Sequence, residues 1–305
     1  MTRLLPIALE QIHAQSLSEF THRLERQVKN NDAALHVYPE YHLRPEGRSE
    51  MGDEPLEEYL SSMAEPIDGK RGKVLAELAG DLGIWLLPGT VVEQGPTGSF
   101  FNTAVVYSPE GKLAASYRKV FPFRPTETCV PGSEFVTFEM KGFGRIGLSV
   151  CYDAWFPEVS RHLAWMGAEL VLNVVQTGTN DRTQEVVIAQ ANAIVNQNFV
   201  ASVNAAAPTG MGRSLLVDPE GRTRIQAISS EEITLTDVID LDQVGNVRKH
   251  GTAGVTRPWD QFNESDVPIK LPFYGGEITP TRWQETTRAK DSKNQTTGNY
   301  SRGTI

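Results

Sequence analysis

Two matching strand–turn–strand segments are the feature that most restricts the fold of this 305-residue chain. The first covers residues 102–117 with the turn sequence SPEG at 108–111, and the second covers 213–227 with DPEG at 218–221. Such turn sequences are typical of β-hairpins. Elsewhere, strand and helix signals alternate, which indicates an α/β protein. Two hairpins in one α/β chain predict two sheets that share one core, not a single open doubly wound sheet.

Sequence patterning also predicts most of the other elements. Apolar runs predict strands at 4–9, 34–38, 84–87, 89–92, 145–150, 169–175 and 199–204. Helical patterning predicts helices at 16–29, 157–167 and 183–196, and a further helix that ends at Gly83. No segment within residues 1–250 resembles a linker, so we predict one domain over residues 1–275. The polar segment 276–305 is predicted to be a C-terminal tail that is disordered or packs on a partner subunit.

Composition argues against several classes of function. The formal net charge of −9 argues against general nucleic-acid binding, which requires a basic surface that displaces counterions. The two cysteines, Cys129 and Cys151, form no CxxC pair and are too few for a disulfide scaffold or a cysteine-rich zinc site. His36 and His42 flank Glu40, but their expected strand and loop positions make a poor metal pair. We therefore expect no metal and no other cofactor.

No membrane or targeting segment is evident along the chain. The N-terminal sequence MTRLLPIALEQIHAQ has only a short apolar run, and no stretch approaches the roughly 20 apolar residues of a membrane span. We therefore expect a cytoplasmic protein without membrane partners, whose cysteines stay reduced. The sequence also lacks GxGxxG and GxxxxGK[ST] patterns at helix starts, which argues against dinucleotide and P-loop sites.

Cys151 lies where a predicted strand is followed by a predicted helix, in the sequence GRIGLSVCYDAWFPE at 144–158. The apolar run 145–150 ends there, residues 152–156 are predicted to form a turn, and Pro157 is typical of a first helical turn. Free N–H groups and the positive end of a helix dipole at such a junction lower a thiol pKa, which favours the nucleophilic thiolate. We interpret Cys151 as a catalytic nucleophile, although a small core cysteine would show the same local pattern.

Two further segments place ionisable residues at strand ends. Glu40 lies in HVYPEYHL directly after a buried strand, where desolvation would raise its pKa towards the working range of a general base. Lys119 ends the first hairpin in ASYRKVFPFRPTE among apolar and aromatic residues, and Glu127 follows within reach of the same pocket. Each has an ordinary alternative, namely an exposed loop glutamate for Glu40 and a solvated edge charge for Lys119.

Glu40, Lys119 and Cys151 together form a chemically consistent set. A thiolate attacks an acyl carbon, an ammonium stabilises the tetrahedral oxyanion, and a carboxylate moves protons to the leaving amine and from the incoming water. This chemistry requires no histidine, which agrees with the scattered positions of the six histidines. Ordinary structural roles are predicted for Cys129 and Arg182.

These motifs, in this order, resemble the nitrilase superfamily of carbon–nitrogen hydrolases. The likeness rests on Glu in YPE after the second strand, Lys in YRK after a hairpin and Cys in GLSVCYDxxFPE. It covers roughly residues 3–250, including the GRSLLVDPEG hairpin, and the ordered set is far more specific than any single motif. The resemblance implies an α-β-β-α sandwich of two packed sheets flanked by helices. It also implies a homodimer packed through helices, with the C-terminal tail lying across the partner.

The resemblance further implies roles for individual residues. Glu40 is expected to be the general base, Lys119 the oxyanion stabiliser and Cys151 the nucleophile. Glu127 matches a second glutamate that helps to position the lysine and the substrate, and the backbone N–H of Tyr152 is expected to be the other oxyanion donor. The chain is therefore predicted to be a cysteine-dependent amidase of the carbon–nitrogen hydrolase type.

The residues after the cysteine bear on the substrate. Tyr152-Asp153 resembles the amidase branch, whereas nitrilases of the superfamily usually carry Trp-Glu or a similar pair there. Amidases for dicarboxylate monoamides usually show an arginine before FPE, but this chain has Trp155, which cannot hold a carboxylate through paired hydrogen bonds. We therefore predict a small neutral carboxamide as substrate, bound against Tyr152 and Trp155. An N-carbamoyl amide hydrolase, a nitrilase and a noncatalytic binding or assembly protein of the same fold remain open alternatives.

Overall fold

The elements of the fold are given by a computed structural model, which describes residues 2–46, 56–124, 126–261, 264–270 and 275–276, without the side chains of 56 and 57. The strands are β1 (Leu4–Gln11), β2 (Gln15–Ser16), β3 (Leu35–Val37), β4 (Leu43–Arg44), β5 (Trp85–Leu87), β6 (Thr90–Gln94), β7 (Phe100–Tyr107), β8 (Leu113–Arg118), β9 (Thr137–Met140), β10 (Gly144–Val150), β11 (Leu170–Val175), β12 (Phe199–Asn204), β13 (Leu215–Val217), β14 (Thr223–Gln226) and β15 (Ile233–Asp240). The α-helices are α1 (Leu17–Asn30), α2 (Leu56–Ser62), α3 (Lys70–Leu82), α4 (Pro157–Trp165), α5 (Arg182–Asn196) and α6 (Asp242–His250). Short 3₁₀ helices cover Pro96–Gly98, Cys151–Trp155 and Pro258–Asp260.

The strands form two large sheets. The first contains seven strands in the order β15-β1-β3-β5-β7-β6, with β8 paired to β7, and the second contains six in the order β14-β13-β12-β11-β10-β9. Parallel pairs β1-β3-β5 and β10-β11-β12 require crossovers, which α1, α3, α4 and α5 supply. The hairpin β7–β8 belongs to the first sheet and β13–β14 to the second. The prediction of two sheets from two hairpins is therefore confirmed.

Three apolar clusters define the order of the layers. The largest joins the facing sides of the two sheets, with side chains such as Ile7 of β1 and Leu172 of β11 fully buried. A second cluster packs Phe20 of α1 and Leu75 of α3 against the outer side of the first sheet. A third packs Leu163 of α4 and its neighbours against the second sheet. The layers thus follow the order helix, sheet, sheet, helix, which confirms the predicted α-β-β-α sandwich.

Local chemistry explains where two of the helices differ from their predicted bounds. The helix predicted from residue 16 begins at Leu17, because Ser16 is its cap: the Ser16 hydroxyl accepts from the Glu19 N–H, and the Glu19 carboxylate accepts from the Ser16 N–H. The helix predicted to reach residue 167 ends at Trp165, and Gly167 follows in the left-handed region at φ 91°. The predicted turn at 152–156 is a 3₁₀ helix that already begins at the cysteine.

The sequence did not predict β9, β15 or α6, because polar residues interrupt their apolar pattern. The half-exposed strand β15 runs antiparallel to β1 over the full length of both, from Leu4 opposite Asp240 to Gln11 opposite Ile233. Its position is therefore set by backbone pairing with a distant strand, which local hydrophobicity does not reveal.

The described residues up to residue 260 form one compact unit that contains all of these elements. In the second unit, 261–305, the described residues form only turns, bends and irregular segments. The predicted domain boundary at 275 stays a prediction, and the predicted tail lies almost wholly outside the described residues. Within the described parts of the chain, no helix is both long enough and apolar enough to cross a membrane.

Candidate active site

Glu40 lies just beyond the end of β3 and is almost completely buried. Its Oε1 accepts hydrogen bonds from Lys119 Nζ at 2.9 Å and Asn102 Nδ2 at 2.8 Å. Its Oε2 accepts from the backbone N–H of Gln176 at 3.1 Å. Burial raises the pKa of Glu40, and the nearby Glu127 adds to this effect, although Lys119 opposes it. The carboxylate therefore binds a proton more readily than an ordinary glutamate does.

Lys119 follows the last residue of β8 and is only 2% exposed. Besides Glu40, its Nζ contacts Glu127 Oε2 at 2.6 Å. Burial alone would lower the pKa of Lys119, but the charges of Glu40 and Glu127 and the hydrogen bond to Glu127 raise it well above its ordinary value. The side chain is consequently a buried ammonium ion held between two carboxylates.

Glu127 completes this ion cluster from the segment between β8 and β9. Its Oε1 accepts from Asn102 Nδ2 and from the Tyr41 hydroxyl, both at 2.8 Å, and its Oε2 accepts from the Phe123 N–H at 2.7 Å. Burial would raise the pKa of Glu127, but Lys119 and these donors lower it overall. Asn102 bridges both carboxylates, and this role was not predicted from the sequence. The sequence does contain an indication of it, because Asn102 is a polar residue within FFNTAVVY, a strand that is buried at every position.

Cys151 begins the 3₁₀ helix after β10 and is half-buried. Its backbone adopts φ 47°, a left-handed conformation that is uncommon for residues other than glycine and costs about 1–3 kcal/mol. Strain of this kind occurs at functional sites where the surrounding structure fixes a side chain in place. Glu40 and Lys119 both lie within electrostatic range of the thiol. The structure thus brings together all four residues of the predicted catalytic set.

The predicted low pKa of Cys151 was wrong. Burial raises the thiol pKa well above its ordinary value, Glu40 raises it further, and Lys119 only partly opposes them. The backbone N–H of Gln176 also lowers it, but by less. Helix-end effects are too small to overcome the removal of the thiol from water beside a carboxylate. The resting thiol is therefore neutral and needs a base before it can attack.

Asp153 fixes the short helix that carries the cysteine. Its carboxylate accepts from the Tyr117 hydroxyl at 2.8 Å, the Phe121 N–H at 2.8 Å and the Val150 N–H at 3.0 Å. Burial raises the pKa of Asp153 to about 6, although Lys119 and these donors oppose the shift. Asp153 thereby ties the residues around Cys151 to the end of β8, where the lysine lies.

Tyr152 and Trp155, the predicted substrate-binding residues, lie in an aromatic group beside the cysteine. The Tyr152 ring meets those of Phe123, Phe156 and Trp155 at centroid distances of 5.2, 5.4 and 6.1 Å. Phe123 is 47% exposed, so this group reaches the surface. The indole N–H of Trp155 is buried and has no partner among the described residues.

His36 and His42, the histidines that flank Glu40 in the sequence, are both buried. His36 Nδ1 lies 3.4 Å from Glu10 Oε1 in the interior, and burial lowers the pKa of His42 to about 3. Across the described residues, no cluster of three or more His, Cys, Asp or Glu side chains could hold a metal ion. Cys129 is buried and donates its S–H to Glu127 Oε1 at 3.7 Å, and burial raises its thiol pKa to about 12.

Comparisons with known proteins identify the family to which the chain belongs. The model of the carbon–nitrogen hydrolase family matches residues 8–249, so the chain belongs to that family. Omega-amidase NIT2 of Homo sapiens is 30% identical over 208 residues, which cover 63% of this chain and 74% of that protein. The enzyme class and the superfamily predicted from the sequence are thereby confirmed.

Two solved structures show the same fold. Nit3 of Saccharomyces cerevisiae, a member of branch 10 of the nitrilase superfamily, superposes with a TM-score of 0.71 at 26% identity, over 81% of this chain and 94% of that one. An amidase from Nesterenkonia sp. superposes with a TM-score of 0.64 at 25% identity, again over 81% and 94%.

Proposed function

We propose that the protein hydrolyses a small neutral carboxamide to a carboxylic acid and ammonia through a thioester on Cys151. One observation carries this proposal: a buried Lys119 ammonium is held by Glu40 and Glu127 beside a half-buried cysteine in a strained conformation. Membership of the carbon–nitrogen hydrolase family supports hydrolysis of a C–N bond. Relatives named omega-amidase and amidase support an amide as the bond that is cleaved.

In the first step, Glu40 removes the thiol proton of Cys151 while the sulfur attacks the amide carbonyl carbon. A new S–C bond forms, the carbonyl becomes a tetrahedral oxyanion, and the proton resides on Glu40. The raised pKa of Glu40 suits this task, because a carboxylate with a higher pKa accepts the thiol proton more readily than an ordinary carboxylate does.

Lys119 then stabilises the oxyanion with a charge that is already in place. Its raised pKa keeps it an ammonium throughout. The N–H of Tyr152 is the second donor, because the first N–H groups of a helix lack acceptors within the helix. Glu40 returns the proton to the amide nitrogen, and the C–N bond breaks. Ammonia departs, and the acyl group remains as a thioester on Cys151.

Water completes the cycle. Glu40 takes a proton from the water that attacks the thioester and gives it to the sulfur as the C–S bond breaks, which releases the carboxylic acid. Glu127 is a positioning residue in this scheme: donors from Tyr41, Asn102 and the Phe123 N–H hold it, and it in turn holds Lys119.

The aromatic group of Tyr152, Trp155 and Phe123 supports a neutral acyl group in the substrate. Aromatic side chains provide apolar contact but cannot pair with a carboxylate, which an arginine would do through two charged hydrogen bonds. The unpartnered indole N–H of Trp155 adds a donor for a neutral oxygen. The apolar aromatic surface, which includes no cation, favours an uncharged substrate over a dicarboxylate monoamide.

An ammonia-release screen tests the reaction and its substrate. Neutral aliphatic and aromatic carboxamides are expected to give kcat/KM values about tenfold or more above those of dicarboxylate monoamides, because a charged hydrogen bond contributes about 1.5–3 kcal/mol. Trp155→Arg serves as the matched variant, and it is expected to shift the preference towards the monoamides. A wild-type preference for monoamides would contradict the neutral substrate. Preference for N-carbamoyl compounds or nitriles would establish those alternatives, and no ammonia from any compound would favour a noncatalytic protein.

We further propose a homodimer formed through α4 and α5. Val187 and Ile194, two turns apart on α5, are 60% and 48% exposed, and Trp165 at the end of α4 is 61% exposed. The two helices are neighbours, since Arg161 Nη2 donates to the Val195 carbonyl. Apolar side chains that are exposed together typically mark an interface, and a second copy presents the same surface.

Light scattering is expected to give twice the 33.7 kDa chain mass, and Val187→Arg is expected to give a monomer. A monomeric wild type would contradict this.

A cytoplasmic location is also part of the proposal. Both cysteines are free, which suits a reducing compartment. Cell fractionation tests this location, and recovery of the protein from an oxidising compartment would contradict it.

A further inference from the structure

A second hydrogen-bond chain, formed by buried polar side chains, reaches Cys151 from α5. Thr177 Oγ1 lies 3.8 Å from Cys151 Sγ, and the Thr177 hydroxyl donates to Glu185 Oε1 at 2.8 Å. Glu185 Oε2 accepts from Arg182 Nη1 at 3.0 Å. The exposed fractions of Thr177, Glu185 and Arg182 are 7%, 6% and 1%. None of these residues belonged to the catalytic set predicted from the sequence.

Arg182 anchors this chain through fixed partners. Its Nη1 also donates to Ser202 Oγ at 2.9 Å, and its Nη2 donates to the carbonyls of Ser202 at 3.3 Å and Arg213 at 3.0 Å. Its Nε donates to the Gly212 carbonyl at 3.0 Å. A guanidinium has five N–H groups, and these contacts occupy all five. Arg182 therefore holds the Glu185 carboxylate in one orientation.

Glu185 fixes the direction of the hydrogen bonds along the chain. A carboxylate paired with a guanidinium accepts hydrogen bonds but cannot donate them, so the single hydroxyl proton of Thr177 is committed to Glu185. The Thr177 oxygen then faces the sulfur with a lone pair. A hydrogen bond between them must run from the S–H of Cys151 to that oxygen, and a thiolate would meet the lone pair with no proton between them.

We propose that Thr177 and Glu185 hold the proton of Cys151 on the sulfur in the resting enzyme. Thr177 accepts the S–H, and Glu185 is a positioning residue that keeps the Thr177 proton turned away from the sulfur. The inference rests on the proposed function, because it concerns the thiol assigned there as nucleophile. A half-buried cysteine held in this way is expected to resist oxidation between turnovers, since the thiolate and not the thiol is the reactive form.

The charged groups around the thiol agree with this assignment. Glu40 faces Cys151 from the end of β3, Lys119 from the end of β8, and Glu185 and Arg182 from α5. Burial raises the thiol pKa most, and the charge of Glu40 raises it further. Lys119 lowers the thiol pKa, and Glu185 raises it by less than Glu40 does. Glu40 is therefore the base that removes the thiol proton. Proton removal accompanies attack on the substrate, because the new S–C bond then takes up the charge that would otherwise remain on the sulfur.

Glu185→Gln tests the inference, because it should reverse the direction of the hydrogen bonds between residue 185, Thr177 and Cys151. A glutamine turns its carbonyl oxygen towards Arg182, and its amide N–H then donates to Thr177, whose own proton becomes free to donate to Cys151. A donor to the charged form lowers a pKa. The pH midpoint of Cys151 alkylation by iodoacetamide, followed by mass analysis of the peptide, is expected to fall by about 1 unit. Alkylation at pH 7 is expected to be about threefold faster, because nucleophilicity falls with pKa and offsets part of the tenfold gain in thiolate.

Thr177 variants separate this hydrogen bond from the charge of Glu185. Thr177→Val keeps the charge but removes the acceptor, so the midpoint is expected to fall here too, whereas Thr177→Ser is expected to keep the wild-type midpoint. A midpoint that is unchanged or raised in folded Glu185→Gln overturns the proposal. If that variant does not fold, an unchanged midpoint in Thr177→Val overturns it. Alkylation needs no turnover, so amide hydrolysis can fail its own test without affecting this one.

Discussion

Replacement of Cys151 by alanine is expected to abolish amide hydrolysis while the fold is retained. Glu40 and Lys119 would still be present, but no atom could form the thioester on which both half-reactions depend. Loss of a covalent nucleophile lowers turnover by about 10⁴-fold or more. The thiol contacts Thr177 at 3.8 Å and the backbone N–H of Gln176, and a neutral thiol forms only weak hydrogen bonds. The free energy of unfolding is therefore expected to change by about 1 kcal/mol or less. Ammonia release on the best substrate of the screen, together with a thermal melt, measures both effects.

The other free cysteine provides the matched control. Cys129 is 1% exposed, whereas Cys151 is half-buried, so a substrate carbonyl cannot reach the sulfur of Cys129. Cys129→Ser keeps a donor for Glu127 and is expected to retain hydrolysis within a few-fold of wild type. The mass of protein quenched during turnover should show one acyl group on the Cys151 peptide. Ammonia release by Cys151→Ala at a rate near that of wild type would rule out the thioester.

The sequence could indicate Glu40, Lys119 and Cys151 because each directly follows a strand of strong, local pattern. β3 and β8 belong to the same sheet, although β5 and β7 lie between them, and the facing second sheet brings Cys151 close to Glu40 and Lys119. The convergence therefore follows from the strand pattern once the two sheets are inferred from the two hairpins. Asn102 had a weaker signal, a polar residue within a fully buried strand.

The thiol pKa and the Thr177–Glu185 contact could not be predicted in this way. Glu185 lies in the first turn of α5, where acidic residues usually interact favourably with the helix dipole, and nothing in its local sequence indicates burial beside a cysteine. Its role depends on Arg182 reaching the carbonyls of two residues about 30 positions away. Desolvation of Cys151 likewise depends on which side chains cover it, and this is a property of the packed sheets. Local rules therefore gave the wrong sign for its pKa.

Lys119→Met is expected to impair both stability and activity, because it removes the cation that the two carboxylates of the ion cluster share. The methionine fills a similar volume but leaves Glu40 and Glu127 buried without their shared cation. Removal of one partner from a buried ion pair costs about 3–5 kcal/mol of unfolding free energy. Loss of an oxyanion donor lowers kcat by about 10²- to 10³-fold. Urea unfolding and ammonia release by the folded fraction measure the two losses separately.

The stability loss should depend on pH in a definite direction. Burial would raise the pKa of Glu127, but Lys119 and the groups that donate hydrogen bonds to Glu127 lower this pKa overall. In the wild type, the Glu127 carboxylate therefore stabilises the fold above its unfolded pKa of about 4.3, and this stabilisation is lost as the pH falls. Without Lys119, burial and the neighbouring Glu40 raise the pKa, and unfolding free energy then falls as the pH rises above about 4.3. The difference between wild type and Lys119→Met is therefore expected to widen from pH 4 to pH 8. A difference that is constant over this range would contradict the ion pair as its cause.

A second substitution separates the structural role of Lys119 from its chemical role. Adding Glu127→Gln to Lys119→Met removes one of the two uncompensated charges, while the Tyr41 hydroxyl and Asn102 still find an acceptor on residue 127. The double variant is expected to recover half or more of the lost unfolding free energy, because only Glu40 then remains to be neutralised. Its hydrolysis should stay as low as that of Lys119→Met, since no ammonium faces the developing oxyanion. Recovery of activity together with stability would instead mean that Lys119 serves only as a counter-ion for Glu127, and the oxyanion would then need another donor.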